Sequence, residues 1–187
     1  MYHKGKFTDI KNPQKYVGDK NDITYRSHWE RNVMRWLDLN ENVVEWASEE
    51  IAIPYEHPLH KRRYKYYPDF YIKFKNGHVK VVEVKPKVQT EKPAKPKGKP
   101  GHKYLNEMLT YTVNMAKWHK ATEVSKDNKF KFEIWTEDTL KNMGILNWET
   151  SKTVLLKESK KSKKPKFQSI FKAMKTKPKR PRPTRKS

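Results

Sequence analysis

A mixed α/β sheet flanked by helices, followed by a basic C-terminal tail, is the fold class this sequence predicts. Three observations carry the prediction. Two segments repeat apolar residues every three to four positions, as helices do. Several stretches are rich in aromatic and β-branched residues, as strands are. An Asn-Gly pair joins two of those stretches as a hairpin turn would. Their order is helix, three strands, helix, strand, an alternation that builds a mixed sheet.

Residues 1–22 form an N-terminal arm marked by the turn signals Lys11-Asn12-Pro13 and Gly18-Asp19. From Thr24 to about Asn40, Tyr25, Trp29, Val33, Trp36 and Leu37 recur at helical spacing. Val43-Val44-Glu45-Trp46 leads into a strand over Glu49 to Tyr55, and Glu56 to Arg63 is a polar, basic loop. Two strands follow, over 64–74 and 79–85. The stretch 86–103 is too rich in Pro, Lys and Gly to pack and reads as a mobile loop. Tyr104 to about Ser125 returns to helical spacing, Lys129 to Trp135 alternates like a strand, and Glu137 to Leu146 is a short helix. Trp36, Trp46, Trp118 and Trp135 read as core aromatics. The domain is therefore placed at 23–150, and the tail at 151–187.

Composition bounds the partners. Across 187 residues, 43 Lys+Arg face 21 Asp+Glu, a formal net charge of +22 that favours phosphate backbones. The tail alone holds 15 Lys+Arg against Glu158, which suits counterion release on DNA. Within it, Phe167, Ile170, Phe171 and Met174 share one face of a possible short helix that could dock on the domain or on a partner. The absence of Cys suits a reducing compartment. Neither a signal peptide, a membrane span nor a Gly-rich nucleotide loop is expected.

The hairpin across Lys75-Asn76-Gly77 decides the chemistry. A two-residue turn pairs Phe70 with Glu83 and sends Asp69 to the opposite face. A three-residue loop with Gly77 left-handed, a G1 bulge, sets Asp69 opposite Glu83 instead. A slip of one residue turns every side chain over. Only the bulged register puts Phe70, Ile72, Phe74, Val82 and Val84 on one apolar face, leaving Asp69, Tyr71, Val81, Glu83 and Lys85 on the other. The apolar pattern thus selects the register that brings two carboxylates and one ammonium together.

That set suits phosphodiester hydrolysis, which needs a nucleophilic water and stabilisation of charge on the phosphate. A hard cation such as Mg²⁺ takes oxygen ligands and keeps several waters. Asp69 and Glu83 supply the carboxylates, and the Val84 carbonyl is a third candidate ligand. Lys85 either handles the attacking water or balances phosphate charge. Glu30 is a fourth candidate, on a helix face near Val33, Met34 and Leu37, where a carboxylate needs a partner. Its spacing from Ser27 is also that of a capping box. These residues read as a metal-dependent DNA nuclease. No element resembles a base-reading device, so sequence tolerance is expected.

Pro68-Asp69 followed by Glu83-Val84-Lys85 resembles the PD-(D/E)xK motif of restriction-endonuclease-like nucleases. Tyr25-Arg26-Ser27-x-x-Glu30, Val43-Val44-Glu45-Trp46, Tyr67-Pro68-Asp69-Phe70 and Val82-Glu83-Val84-Lys85-Pro86 together resemble the TnsA-type endonuclease domain. From Lys11-Asn12-Pro13 to about Leu146 the chain is also similar to the head-completion nucleases of T-even-type tailed phages. The resemblance implies a restriction-endonuclease-like sheet, a divalent metal, read as Mg²⁺ with Mn²⁺ as the alternative, and a role in finishing filled heads before tails join. The expected action is that of an endonuclease, with added exonuclease action left open. It implies a catalytic set of Glu30, Asp69, Glu83 and Lys85, with Asp69, Glu83, Val84 and Glu30 toward the metal. Double-stranded DNA and portal, neck or head proteins are the implied partners, met in the host cytoplasm during assembly or in the virion. Glu83 departs from the Gln that TnsA-type motifs often carry. The alternatives are a non-catalytic DNA-end or neck protein, and a transposon- or junction-type endonuclease of the same fold.

Overall fold

The structure, a computed structural model, describes residues 4–146. The expected domain end at 150 and the tail from 151, with its apolar stripe, lie outside the described residues.

Strand β1 (Gly5–Lys6) pairs antiparallel with β2 (Thr24–Tyr25), and a 3₁₀ turn over Pro13–Lys15 lies between them. The segment read as an arm is therefore part of the domain. Phe7, Tyr16 and Ile23 are buried in the main core, with Tyr16 edge-on to Trp46 at 4.7 Å. Asp38 fastens this segment from below. Its buried carboxylate accepts from the N–H groups of Lys11 (2.7 Å) and Asn12 (2.8 Å).

Helix α1 runs over His28–Leu39, shorter than the periodicity predicts, because Thr24–Tyr25 is claimed by β2 and Ser27 caps the helix start. Its apolar stripe, Val33, Met34 and Leu37, is fully buried. Strand β3 (Val43–Ser48) ends at Glu49, whose positive φ of 55° turns the chain into β4 (Ile53–Glu56). The continuous strand expected toward Tyr55 is thus two strands in two different sheets. The run 64–74 is divided in the same way. Strand β5 (Arg63–Tyr66) pairs with β4, Tyr67-Pro68-Asp69 crosses over, and β6 (Phe70–Phe74) enters the central sheet. Proline at the crossing explains the break, since it offers no ladder N–H.

Strand β7 (Val79–Val84) follows the Lys75-Asn76-Gly77 loop. Phe70 pairs with Val82 and Lys73 with Val79, and Phe74 and His78 close the hairpin with Gly77 at φ 83°. This is the bulged register. Beyond a 3₁₀ turn at Lys87–Gln89, the stretch to Gly101 has no helix or strand, as its composition requires. Helix α2 (His102–Asp127), strand β8 (Lys131–Trp135) and helix α3 (Glu137–Asn142) complete the described chain.

The central sheet has the order β3-β6-β7-β8, antiparallel except for the parallel pair β7–β8. On one face, α1 and the N-terminal segment cover Trp46, Phe70, Ile72, Val82, Val84 and Trp135. On the other, α2 packs through Trp118 and Ala121 against the β4–β5 hairpin and against Phe132 and Ile134. A mixed α/β sheet between helical layers is the class the sequence predicts, with the β4–β5 hairpin as an addition. Trp46, Trp118 and Trp135 are buried, and Trp36 stands edge-on to Trp135 at 6.1 Å.

Gly77 has open space around its α-carbon, so only its backbone angle resists a side chain. Gly77→Ala should therefore cost about 1–2 kcal/mol, the left-handed penalty, in a chemical-denaturation experiment. Unchanged stability would rule out the bulged turn.

Candidate active site

The register of the β6–β7 hairpin, continued one place past Phe70–Val82, sets Asp69 opposite Glu83. Cross-strand partners share a face. Both carboxylates consequently lie on the α2 side of the sheet, at the end of β7. Continued one place further, the same register sets Pro68 opposite Val84. Lys85 donates its N–H to Trp135 on the β8 side, so the polar groups of Val84 point toward β6. The Val84 N–H is taken by Asp69 Oδ2 at 2.7 Å. Its carbonyl faces a proline, which has no N–H to return. The Pro-Asp dipeptide thus leaves a backbone oxygen beside a carboxylate.

Glu83 is buried, 5% exposed, and both its oxygens are engaged. Lys85 Nζ lies 3.0 Å from Oε1, and the Tyr66 hydroxyl donates to Oε2 at 2.8 Å. Burial pushes the Asp69 carboxyl well above its ordinary range, and the neighbouring Glu83 charge adds to the rise. For Lys85, burial works to lower the pKa, but Glu83 and Asp69 outweigh it and hold the ammonium above its usual value. Lys85 is therefore a charged donor. Burial, then Glu83, pushes the Tyr66 phenol up, so it stays a proton donor to that carboxylate.

Glu30 is tied to the start of α1. Ser27 Oγ accepts the Glu30 N–H at 3.1 Å, while the Glu30 carboxylate accepts from Ser27 Oγ at 2.9 Å and from the Arg26 N–H at 2.6 Å. It is a helix cap of the capping-box type. It comes from the α1 layer and does not line the cleft, yet its charge is felt at Asp69 and Lys85. Burial raises its own pKa.

Asp69, Glu83 and Lys85 open into a cleft of 490 Å³, also walled by Arg26, Glu49, Lys65, Tyr66, Tyr67 and Lys117. Sequence reasoning missed most of these walls. Lys117 comes from the middle of α2, its ammonium over the Tyr66 ring at 5.8 Å, and burial lowers its pKa. Nothing local marks it, because only the packing of α2 brings it to the site. Tyr66 and Tyr67 adjoin the Pro-Asp string, and the alternation of β5 is the signal that turns Tyr66 inward. Arg26 grips Glu49 through two hydrogen bonds of 2.7 and 2.8 Å at the rim.

The donor set suits a hard divalent cation. Two carboxylates crowded in a partly dry cleft repel one another, and a cation removes that cost. Among the described residues no three His, Asp or Glu side chains form a closed cage. Mg²⁺ does not require one, since it keeps waters and takes one or two carboxylates.

Ionisation of Asp69 opposes folding when no cation is bound. Because the folded-state pKa is raised, stability falls as pH climbs from the ordinary Asp range near ~3.9 through the folded value. With chelator present, Asp69→Asn should melt above the unsubstituted protein at neutral pH, and the gap should close as pH falls toward that range. A gain of about 1 kcal/mol would raise the melting temperature by about 2–4 °C. A lower melting temperature for the variant at neutral pH would contradict the assigned electrostatics.

A family model of the TnsA-like endonuclease N-terminal region matches residues 40–137, which include Asp69, Glu83 and Lys85. The Head completion nuclease of Enterobacteria phage T4 is 37% identical over 152 residues, covering 78% of this chain and 98% of that protein. No solved structure matches significantly. With a family match over more than half its length and a relative similar over nearly all of that protein, the chain belongs to the TnsA-like endonuclease family.

Proposed function

We propose that this chain is a divalent-metal-dependent DNA nuclease that cuts the duplex with little sequence preference, as an endonuclease with exonuclease action at ends. The observation that carries the reading is the single hairpin rung on which Asp69 faces Glu83, with Lys85 3.0 Å from the latter. Asp69 and Glu83, with the Val84 carbonyl, would hold Mg²⁺, or Mn²⁺ in its place. When bound, the cation would neutralise charge on the phosphate and lower the pKa of a bound water, whose proton would pass to solvent as the water attacks.

The chain's own groups do the rest. Lys85, kept protonated by its carboxylate neighbours, donates toward the attacking water or a phosphate oxygen rather than removing a proton. That protonation favours the charge-balancing role over the base role. Tyr66 holds Glu83 in one rotamer from behind by donating to Oε2. Lys117 and Lys65 place positive charge on two walls of the cleft, where a phosphate would enter. Glu30 supports the set through its negative field while anchoring the start of α1.

The relative's name supports a place in head completion, so the substrate would be packaged or end-bound DNA, and portal, neck or head proteins would be the partners. The work would be done in the host cytoplasm during assembly, with retention in the virion as a corollary.

Plasmid nicking in Mg²⁺ is the direct test. Asp69→Ala and Lys85→Ala should each lose about 10²-fold or more in rate while still binding DNA. Normal cutting by both variants would remove the catalytic assignment, and an inactive unsubstituted protein that still binds DNA would make it an end clamp.

A second pair of substitutions separates the two roles of Glu30. Gln also serves at the third position of a capping box, so Glu30→Gln should keep stability but slow cleavage. Ser27→Ala should cost about 1 kcal/mol of stability and leave cleavage nearly intact. The reverse pattern would make Glu30 a cap alone.

A further inference from the structure

Strand β5 runs straight into the Pro-Asp dipeptide, so the β4–β5 hairpin is a continuation of the active-site wall. Between Ile53 and Tyr67 its charged residues are Glu56, Lys61, Arg62, Arg63 and Lys65. The four cations are exposed. Among the described residues none of the four forms an ion pair, and the one carboxylate of the hairpin, Glu56, stands opposite Arg63 on the β4–β5 ladder. Alternation along β5 puts Arg63 and Lys65 on the face opposite Tyr66, and Lys65 lines the cleft. The cationic row therefore leads outward from the place where a phosphate would be cut.

The tip is also held in shape. Stacked rings of His57 and His60 lie 4.2 Å apart, and His57 Nδ1 accepts from the N–H groups of Leu59 and His60 at 3.3 Å each. His60 Nδ1 meets the Tyr64 hydroxyl at 2.9 Å, and Lys61 takes a left-handed φ of 49°. A preformed tip loses less entropy on binding than a floppy one. Four cations against one carboxylate repel one another beside the cleft, a cost that a bound polyanion would remove.

We propose that the β4–β5 hairpin is a duplex-DNA grip in which Lys61, Arg62, Arg63 and Lys65 hold the phosphate backbone of the flank leading into the cleft. The inference rests on the DNA-nuclease reading above and adds which element carries the flank. The grip engages phosphates rather than base edges, so it is indifferent to sequence. Binding through it is measured without cleavage.

The test compares two full-length variants in chelator, by anisotropy of a short fluorescent duplex over a range of KCl concentrations. One is Lys61→Gln/Arg62→Gln/Arg63→Gln. The other, Lys75→Gln/Lys126→Gln/Lys129→Gln, removes the same charge at the opposite end of the central sheet. Each cation–phosphate pairing abolished should reduce the slope of log K against log salt by about 0.9. The hairpin variant should therefore show a slope smaller by about 2–3 units, and the control an unchanged one. Equal reductions, or no reduction in either, would overturn the proposal. A readout on the unsubstituted protein guards against misfolding: duplex DNA should protect Lys61 from acetylation several-fold more than Lys126 or Lys129. Equal protection would also overturn it. A reduced slope in a protein that cuts nothing in Mg²⁺ would retain the grip and remove the nuclease reading.

Discussion

One hairpin rung governs this molecule. The turn at Gly77 adds a residue to the loop, and that addition sets which side chains of β6 and β7 share a face. In this register Phe70, Ile72, Val82 and Val84 fill the core beneath α1, while Asp69 and Glu83 meet on the far side. Moved by one residue, a strand would set its carboxylate against the apolar layer beneath α1 and turn its apolar row away from that layer. Core packing and site assembly are therefore one constraint, which explains how a site of like charges can be held by a small sheet.

The site is assembled against local electrostatic preference. Two carboxylates lie in a cleft dry enough to raise the Asp69 pKa, with Lys85 close by as a partial offset. The surrounding fold overrides that cost. Tyr66 fixes Glu83 from one side, the Val84 N–H fixes Asp69 from the other, and the Pro68 crossing leaves the Val84 carbonyl without a ladder donor. Under the proposed function, a bound cation would remove that cost.

The alternation of apolar residues and the Asn-Gly turn made the central hairpin and its register legible in the sequence, and the tryptophans were legible as core. Helix α1 and strand β8 were visible in outline. The divided strands were not. Glu49 and Pro68 each interrupt a stretch that composition favours as continuous, and the second sheet forms only because β4 and β5 find each other across the His57–Arg62 turn. The N-terminal segment looked loose because its anchors, Phe7, Tyr16 and Ile23, are single residues among polar ones. At the site, the carboxylates and Lys85 were readable from spacing, and Glu30 as cap or site residue. Lys117 was not, since nothing in α2 says which turn will face the cleft.

Convergence of Asp69 and Glu83 on one cation is the claim most directly open to measurement. Crystals grown with Mn²⁺ and read by anomalous scattering should show a peak bonded to an oxygen of each carboxylate, at about the 2.0–2.2 Å of hard-cation coordination. A peak held by neither carboxylate, or crystals fully exposed to Mn²⁺ in which the two point away from each other, would contradict the account.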